Sequence, residues 1–245
     1  MRYANLIRSI ANWPTYFLYK YNLTASPVAR FALRSGDTIL VPREVLHEFK
    51  EVFFDEAYAD GLPLEVPQGS TLIDIGANIG SFSVFALSRY PGARVVAFEP
   101  DPVNFRHLEA NAALAGGRLV PVQAAVAGTA GELTFRREAG DKVSTSGSLK
   151  RSQGVEFKVA ATTLADVFSQ FGIETCGLLK MDCEGAEYDI LYGVPDDVLA
   201  RIRQMVIEVH DKAAPGENRT ALAAHLKARG FQVKEGLHSL LWAWR

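Results

Sequence analysis

From Thr71 onward the chain alternates short apolar runs with helix-patterned stretches, and no other feature narrows the fold as much. Two strands joined through a helix run the same way in a sheet, so repeated strand-helix-strand order predicts a parallel sheet with helices packed on its faces. Strands are expected at 71–75, 94–98 and 119–126, with helices at 81–89 and 102–114. The alternation then breaks: 132–136 and 155–160 read as strands around 139–154, a stretch rich in Gly, Ser and Thr. An antiparallel hairpin with a mobile tip, inserted in the α/β scheme, accounts for this. Thr162 or Thr163 can cap a helix to about Phe171. Strands at 178–181 and 204–209 then alternate with helices at 186–192 and 219–229, and 231–234 and 240–244 close the sheet as an antiparallel pair around Gly236. The expected class is therefore α/β: a Rossmann-like, mostly parallel sheet with an antiparallel C-terminal strand, an inserted β-hairpin and an N-terminal helical extension.

A chain of 245 residues suits one large α/β domain, since a second full domain would leave both small. We expect 67–245 to form the sheet domain and 1–66 a helical and hairpin extension acting as a lid or a dimer contact. Within the extension, 30–41 suggests a hairpin turning at Ser35-Gly36-Asp37, and 47–58 a helix followed by Phe53-Phe54-Asp55-Glu56. Gly61 and Pro67 mark the approach to the sheet. Leu6, Ile10, Trp13 and Phe17 fall at helical spacing, with Pro14 kinking or restarting the helix. Arg2, Arg8, Asn12, Pro14 and Lys20 interrupt this segment, so it is expected neither to span a bilayer nor to be a signal peptide. A flap on the core or on a second subunit is the favoured reading over weak peripheral membrane contact, and the cytoplasm is the expected compartment. With 48% apolar residues, 22% charged and a net charge of -2, the composition is that of a globular protein and offers no basic surface for nucleic acid. Cys176 and Cys183 lack a CxxC or Cys/His partner set; both are expected as buried free thiols, with no zinc site.

The chemistry concentrates first at Asp74-Ile75-Gly76-Ala77-Asn78-Ile79-Gly80, the turn after the first sheet strand. Ligands of doubly wound sheets bind at the carboxyl ends of strands, where the first turn must let backbone approach closely. A dinucleotide turn needs glycine at its first, third and sixth positions, whereas counting from Gly76 this chain has Asn78 and Ser81 in those places, so a pyrophosphate fits poorly. Asp74 would repel it too, but can receive a cationic α-ammonium directly or through water. Glu99, ending the second strand, can accept both ribose hydroxyls, with Pro100 and Asn104 just beyond. Ala124 and Ala125 leave room for an adenine. A nucleoside carrying an amino-acid tail, S-adenosylmethionine, meets these demands. The expected cofactor contacts are Asp74, Gly76, Ala77, Asn78, Gly80, Ser81, Glu99, Pro100, Asn104, Ala124, Ala125, Asp182 and Tyr58, the last by bonding the cofactor's carboxylate.

A second cluster lies on the same rim: Lys180, Asp182, Glu184 and Glu187 follow the fourth strand, and Glu208, His210 and Asp211 the fifth. His210 has the ordinary pKa nearest working pH and can act as base, or can be a strand-end histidine without catalytic work. Asp182 and Glu208 can orient it or take the proton. Lys180 can lower a hydroxyl's pKa or simply pair with a carboxylate, and Glu187 can pair or cap on its helix. Asp182, Glu184 and Glu208 can also gather a divalent cation such as magnesium, but no metal is favoured on oxygen ligands alone.

Taken together, the DxGANxG turn at 74–80, Phe98-Glu99-Pro100, the K-x-D-x-E-G-A-E block at 180–187 and Ile207-Glu208-Val209-His210 resemble the FkbM-type methyltransferases. The resemblance runs from about Phe53 to His210. It implies a class I methyltransferase fold and O-methylation of a sugar, glycan or natural-product hydroxyl, with 1–50 and 139–154 as the substrate-facing parts outside it. Ser144 to Ser148 can hydrogen-bond a polyhydroxylated acceptor or be a plain solvated loop. Two alternatives stay open at this point: a nicotinamide-dependent oxidoreductase on a similar sheet, and a non-catalytic module that keeps the fold.

Overall fold

The computed structural model describes residues 2–58, 61–137, 140, 143, 154–236 and 239–245. The N-terminal segment forms two helices, α1 (Arg2–Ser9) and α2 (Pro14–Lys20). Pro14 occupies the first turn of α2, where its fixed φ suits a helix start and its missing N–H costs nothing, so it restarts the helix rather than kinking it. Strands β1 (Val28–Ala32) and β2 (Thr38–Pro42) make the expected hairpin. A single 3-10 turn then leads into α3 (Leu46–Phe53), which ends where the expected aromatic, acidic stretch begins. Leu6, Ile10, Phe31, Phe49 and Phe53 are all fully buried, in one apolar cluster with Leu72, Phe82 and Val95 of the sheet domain. Asn111 locks the two parts together: its side chain accepts from Leu40 N at 2.7 Å and donates to Leu40 O at 3.1 Å and Ile79 O at 2.8 Å.

The sheet domain follows as β3 (Thr71–Ile75), α4 (Ser81–Arg89), β4 (Arg94–Phe98), α5 (Pro102–Ala113) and β5 (Leu119–Val122). The single strand expected at 119–126 is in fact two. The chain turns at Gln123-Ala124, where Ala124 N bonds back to Val122 O at 3.0 Å, and β6 (Ala125–Val126) leaves the central sheet. It pairs in parallel with β8 (Val155–Thr162), which is antiparallel to β7 (Gly131–Arg137). The inserted hairpin is thus present but belongs to a small three-stranded sheet of its own. Most of 139–154, its expected mobile tip, with the whole Ser144 to Ser148 stretch, lies outside the described residues.

Thr163, not Thr162, caps α6 (Leu164–Gln170), in a reciprocal capping box with Asp166. Then come β9 (Cys176–Met181), α7 (Glu187–Gly193), the unforeseen short α8 (Asp196–Leu199), β10 (Gln204–Glu208), α9 (Arg219–Ala228), β11 (Gln232–Glu235) and β12 (Leu240–Trp244). The central order is β11-β12-β10-β9-β3-β4-β5, with β12 antiparallel to both neighbours and β10, β9, β3, β4 and β5 parallel. All six residues of β9 are buried, as a central strand covered on both faces requires. The connections reverse direction between β3 and β9, so the crevice outside these two strands is where a ligand is expected. No helix among the described residues is long and apolar enough to cross a membrane.

Candidate active site

A cavity of about 830 Å³ opens at that crevice, large for a single small-molecule site. Its floor is the turn after β3. Gly76 sits at φ +73°, and a Cβ there would lie 1.7 Å from Asp182 O, so only glycine lets this turn pass beside the end of β9. Asn78 takes φ +50°, a conformation asparagine tolerates better than most residues. Gly80 at φ +86° starts α4, and its absent Cβ makes room for Leu108.

Glu99 leaves β4 beside this turn, only 5% exposed. Its carboxylate accepts from Asn78 N at 2.8 Å and Asp101 N at 2.9 Å. Burial nevertheless pushes it up to about 7. Asp101 caps α5 through Val103 N and Asn104 N, and its other oxygen takes Arg137 Nε at 2.9 Å, tying the small sheet to this side of the cavity. Ala77, Ser81, Pro100, Asn104, Ala124 and Ala125 line the cavity too.

Asp74 does not. It is fully buried, accepts from Ser83 Oγ at 2.7 Å and lies 3.3 Å from Lys180 Nζ. The expected direct contact with a ligand's ammonium is therefore corrected: Asp74 stands behind the wall, and its partner is Lys180. Gly80 likewise shapes the turn without lining the cavity. Lys180 also donates to Gly76 O at 2.7 Å and approaches Asp182 Oδ2 at 3.8 Å. Burial disfavours its charge, but Asp74 and Asp182 outweigh that and hold it above the ordinary lysine range. The ion-pair reading of Lys180 is the one its geometry matches.

The second rim assembles largely as expected, with Lys180, Asp182, Glu184, Glu208 and His210 all on the cavity wall. Tyr58 reaches it from the N-terminal extension, but donates its hydroxyl to Glu208 Oε2 at 2.7 Å, so it is engaged with the rim rather than open for a cofactor carboxylate. Burial, then Asp182, raises Glu208 above the usual carboxylate range. His210 departs from its expected role. Its Nδ1 lies 2.9 Å from Oε1 of the fully buried Glu187, and this hydrogen bond holds the imidazole protonated up to about 9 against the opposing effect of burial. A ring already protonated at neutral pH cannot accept a proton there, so the structure does not support His210 as the base. Cys176 is buried as expected, whereas Cys183 is only half-buried and faces the cavity.

Sequence reasoning missed Glu48. It stands on α3, accepts from Asn78 Nδ2 at 3.2 Å and is pushed to about 8 by burial and then by Asp182. A signal existed: His47, Glu48 and Glu51 share one side of the helix while Phe49, Val52 and Phe53 are buried. Glu187 was expected to pair or cap on its own helix; its partner is instead His210, 23 positions away, a pairing with no local mark.

The strand order and the ligand crevice define a class I methyltransferase. The methyltransferase FkbM domain model matches residues 74–233, and the chain belongs to the FkbM methyltransferase family. It is 35% identical over 217 residues to the 31-O-demethyl-FK506 methyltransferase FkbM of Streptomyces tacrolimicus, covering 76% of this chain and 81% of that protein. It is 34% identical over 242 residues to the AMB antimetabolite synthetase AmbE of Pseudomonas aeruginosa, covering 81% of this chain but only 11% of that far longer protein. Among solved structures, the methyltransferase FkbM from Methylobacillus flagellatus shares the fold with a TM-score of 0.50 at 15% identity, covering 96% of this chain and 59% of that one. The protein is a methyltransferase, and the oxidoreductase and non-catalytic alternatives are set aside.

Proposed function

We propose that this methyltransferase takes its methyl group from S-adenosylmethionine and delivers it to a hydroxyl of a sugar, glycan or natural product. The observation that carries the donor assignment is Glu99, a carboxylate fixed by two backbone N–H groups at the end of β4 and level with the glycine turn, where a ribose can be bound by both hydroxyls. The rest of the cavity fits the same molecule. Ser81 Oγ is buried with no hydrogen-bond partner among the described residues, in the first turn of α4. That turn also offers backbone N–H groups to a carboxylate. Asp182, on the cavity wall in front of Asp74, is the carboxylate open to an ammonium group.

S-adenosylmethionine supplies a methyl carbon already activated by a positive sulfur, so the protein's task is mainly alignment. The turn at 76–81 and Glu99 hold the donor. Glu208, raised above the usual carboxylate range by burial and then by Asp182, lines the cavity beside Asp182 and takes the acceptor hydroxyl's proton. Lys180 stays paired behind them and steadies Asp182. Glu48, Glu51 and Tyr58 cover the cavity from the extension and help exclude water. A hydroxyl acceptor is supported by this hydrogen-bonding, acid-lined rim and by the oxygen named in the Streptomyces relative's substrate.

Calorimetric titration with S-adenosylhomocysteine tests the reading. The wild type should bind one equivalent, and Glu99→Ala should bind about a hundredfold more weakly, in line with ~1.5–3 kcal/mol for a hydrogen bond to a charged group. No binding by the wild type would sink the donor assignment.

A further inference from the structure

Helices α1 and α2 pack inward through Leu6, Ile10, Tyr16 and Tyr19, all buried. Their outward side is apolar as well. Tyr3 and Ile7 stand one turn apart on α1, Leu18 lies on α2 and Tyr21 and Leu23 follow it, all five between 44% and 69% exposed. Among the described residues eight large apolar side chains are exposed, and five of them therefore fall within 3–23. They are joined across the two helices: the Tyr3 ring lies 5.7 Å from that of half-buried Phe17, and Leu23 N donates to Leu18 O at 2.8 Å, folding Leu23 back on the end of α2. The outer face of a core-packed helix is ordinarily polar, and a concentrated apolar surface marks contact with a partner or a lipid layer.

Charge is segregated in the same place. Residues 1–43 hold six Lys and Arg against one Asp, a net +5, whereas 44–245 hold 20 Lys and Arg against 27 Asp and Glu, a net −7. The one acid, Asp37, pairs with Arg118. Lys20 and Arg34 are exposed and have no acidic partner among the described residues. Both border the apolar side chains: Lys20 Nζ lies 5.5 Å over the Tyr21 ring, and Arg34 Nε donates to Ile7 O at 2.8 Å.

The sign of this charge selects the occupant. A second copy meeting the same face about a two-fold axis would set like charges against each other. A protein partner matches both signs point by point, but this face offers only one. A lipid surface with anionic headgroups suits it, because cations meet phosphates, aromatic rings sit at headgroup level and Leu and Ile enter just below. We propose that the outward face of α1 and α2 docks on anionic membrane surfaces through Tyr3, Ile7, Leu18, Tyr21 and Leu23, with Lys20 and Arg34 on lipid phosphates. Helices of eight and seven residues lie on such a surface and cannot span it. Asn5 Nδ2 donates to Phe54 O at 2.8 Å, tying α1 to the end of α3, whose Glu48 and Glu51 line the cavity. The docking face does not rest on the methyl-transfer reading.

Sedimentation of the full chain with phosphatidylcholine vesicles containing about 30% phosphatidylglycerol, against phosphatidylcholine alone, tests the proposal. Binding to the anionic vesicles is expected, at least tenfold weaker in about 0.5 M salt, where exposed charges are screened. Leu18→Ser combined with Leu23→Ser should weaken it at least tenfold, and Lys20→Gln about fivefold. Val155→Ser, at a comparably exposed position on β8, should leave it unchanged. Circular dichroism melting confirms that each variant is folded, and Tyr21→Ser replaces the double substitution if that one is not. S-adenosylhomocysteine affinity should be the same in wild type and the double variant; a large change there overturns the assignment of these residues to docking. No binding to anionic vesicles at low salt overturns the proposal, as does binding indifferent to salt or to the double substitution. A dimer in light scattering that the double substitution dissolves overturns it too, by giving the face to a second copy.

Discussion

Replacing Glu187 with glutamine keeps the size of the side chain and an oxygen facing the imidazole, but removes the charge that holds His210 protonated. His210 stays protonated up to about 9, against an ordinary 6.5. That difference, roughly 2.5 on the pH scale at ~1.4 kcal/mol per tenfold, caps the coupling at about 3 kcal/mol. The imidazole is 31% exposed, so water screens part of this and about half is the reasonable expectation, ~1.5 kcal/mol. The sign follows from both partners. His210 is raised on folding, so its contribution is complete below 6.5 and disappears as pH rises through about 9. For Glu187, burial pushes upward, but the hydrogen bond from His210 and backbone N–H groups outweigh it and hold the carboxyl below its ordinary 4.5; its contribution is complete above 4.5 and is lost on acidification through the lower folded value. The pair therefore acts in full between pH 4.5 and 6.5. Urea unfolding of wild type and Glu187→Gln at pH 6 should differ by ~1.5 kcal/mol, and the gap should close by about pH 10. Carbon-proton NMR titration should show His210 moving from about 9 in the wild type toward 6.5 in the variant. A wild-type His210 that titrates near its ordinary value, or a stability gap independent of pH, would refute the coupling.

Two further substitutions probe the scaffold beneath the site. Asn111→Ala should cost ~2–4 kcal/mol in urea denaturation, because it strands the partly buried backbone groups of Leu40 and the buried carbonyl of Ile79 that Asn111 satisfies. A loss under about 0.5 kcal/mol would show that water replaces those bonds easily. Gly76→Ala places a Cβ 1.7 Å from Asp182 O at φ +73°, so it should lower the melting temperature markedly and abolish S-adenosylhomocysteine binding. Wild-type melting and affinity would falsify the close approach of the two strand ends.

The order of strands and helices was legible because each element carries its own period or cap. The glycine turn, the threonines ahead of α6 and the apolar run of β9 are all local signals. The split of 119–126 was hidden because Ala125-Val126 is as apolar as a central strand; what moves it is a partner, β8, about 35 positions away. The site shows the same division. Glu99 could be placed from its position at a strand end, since strand ends in a parallel sheet share a rim.

Charge states could not be read that way. Asp74 ends β3 as expected, yet its neighbour across the sheet, Lys180 in register on β9, takes the carboxylate out of reach. His210 has an ordinary pKa in isolation; a buried glutamate on another element decides that it is protonated at neutral pH. By itself the sequence determined the parallel sheet, the glycine turn and the set of acidic and basic residues on one rim, because periodicity and strand-end position are local properties of a chain. Only the tertiary structure decided which of those groups face the cavity, which are consumed by each other and which hold a proton, because burial and pairing depend on residues far apart in sequence.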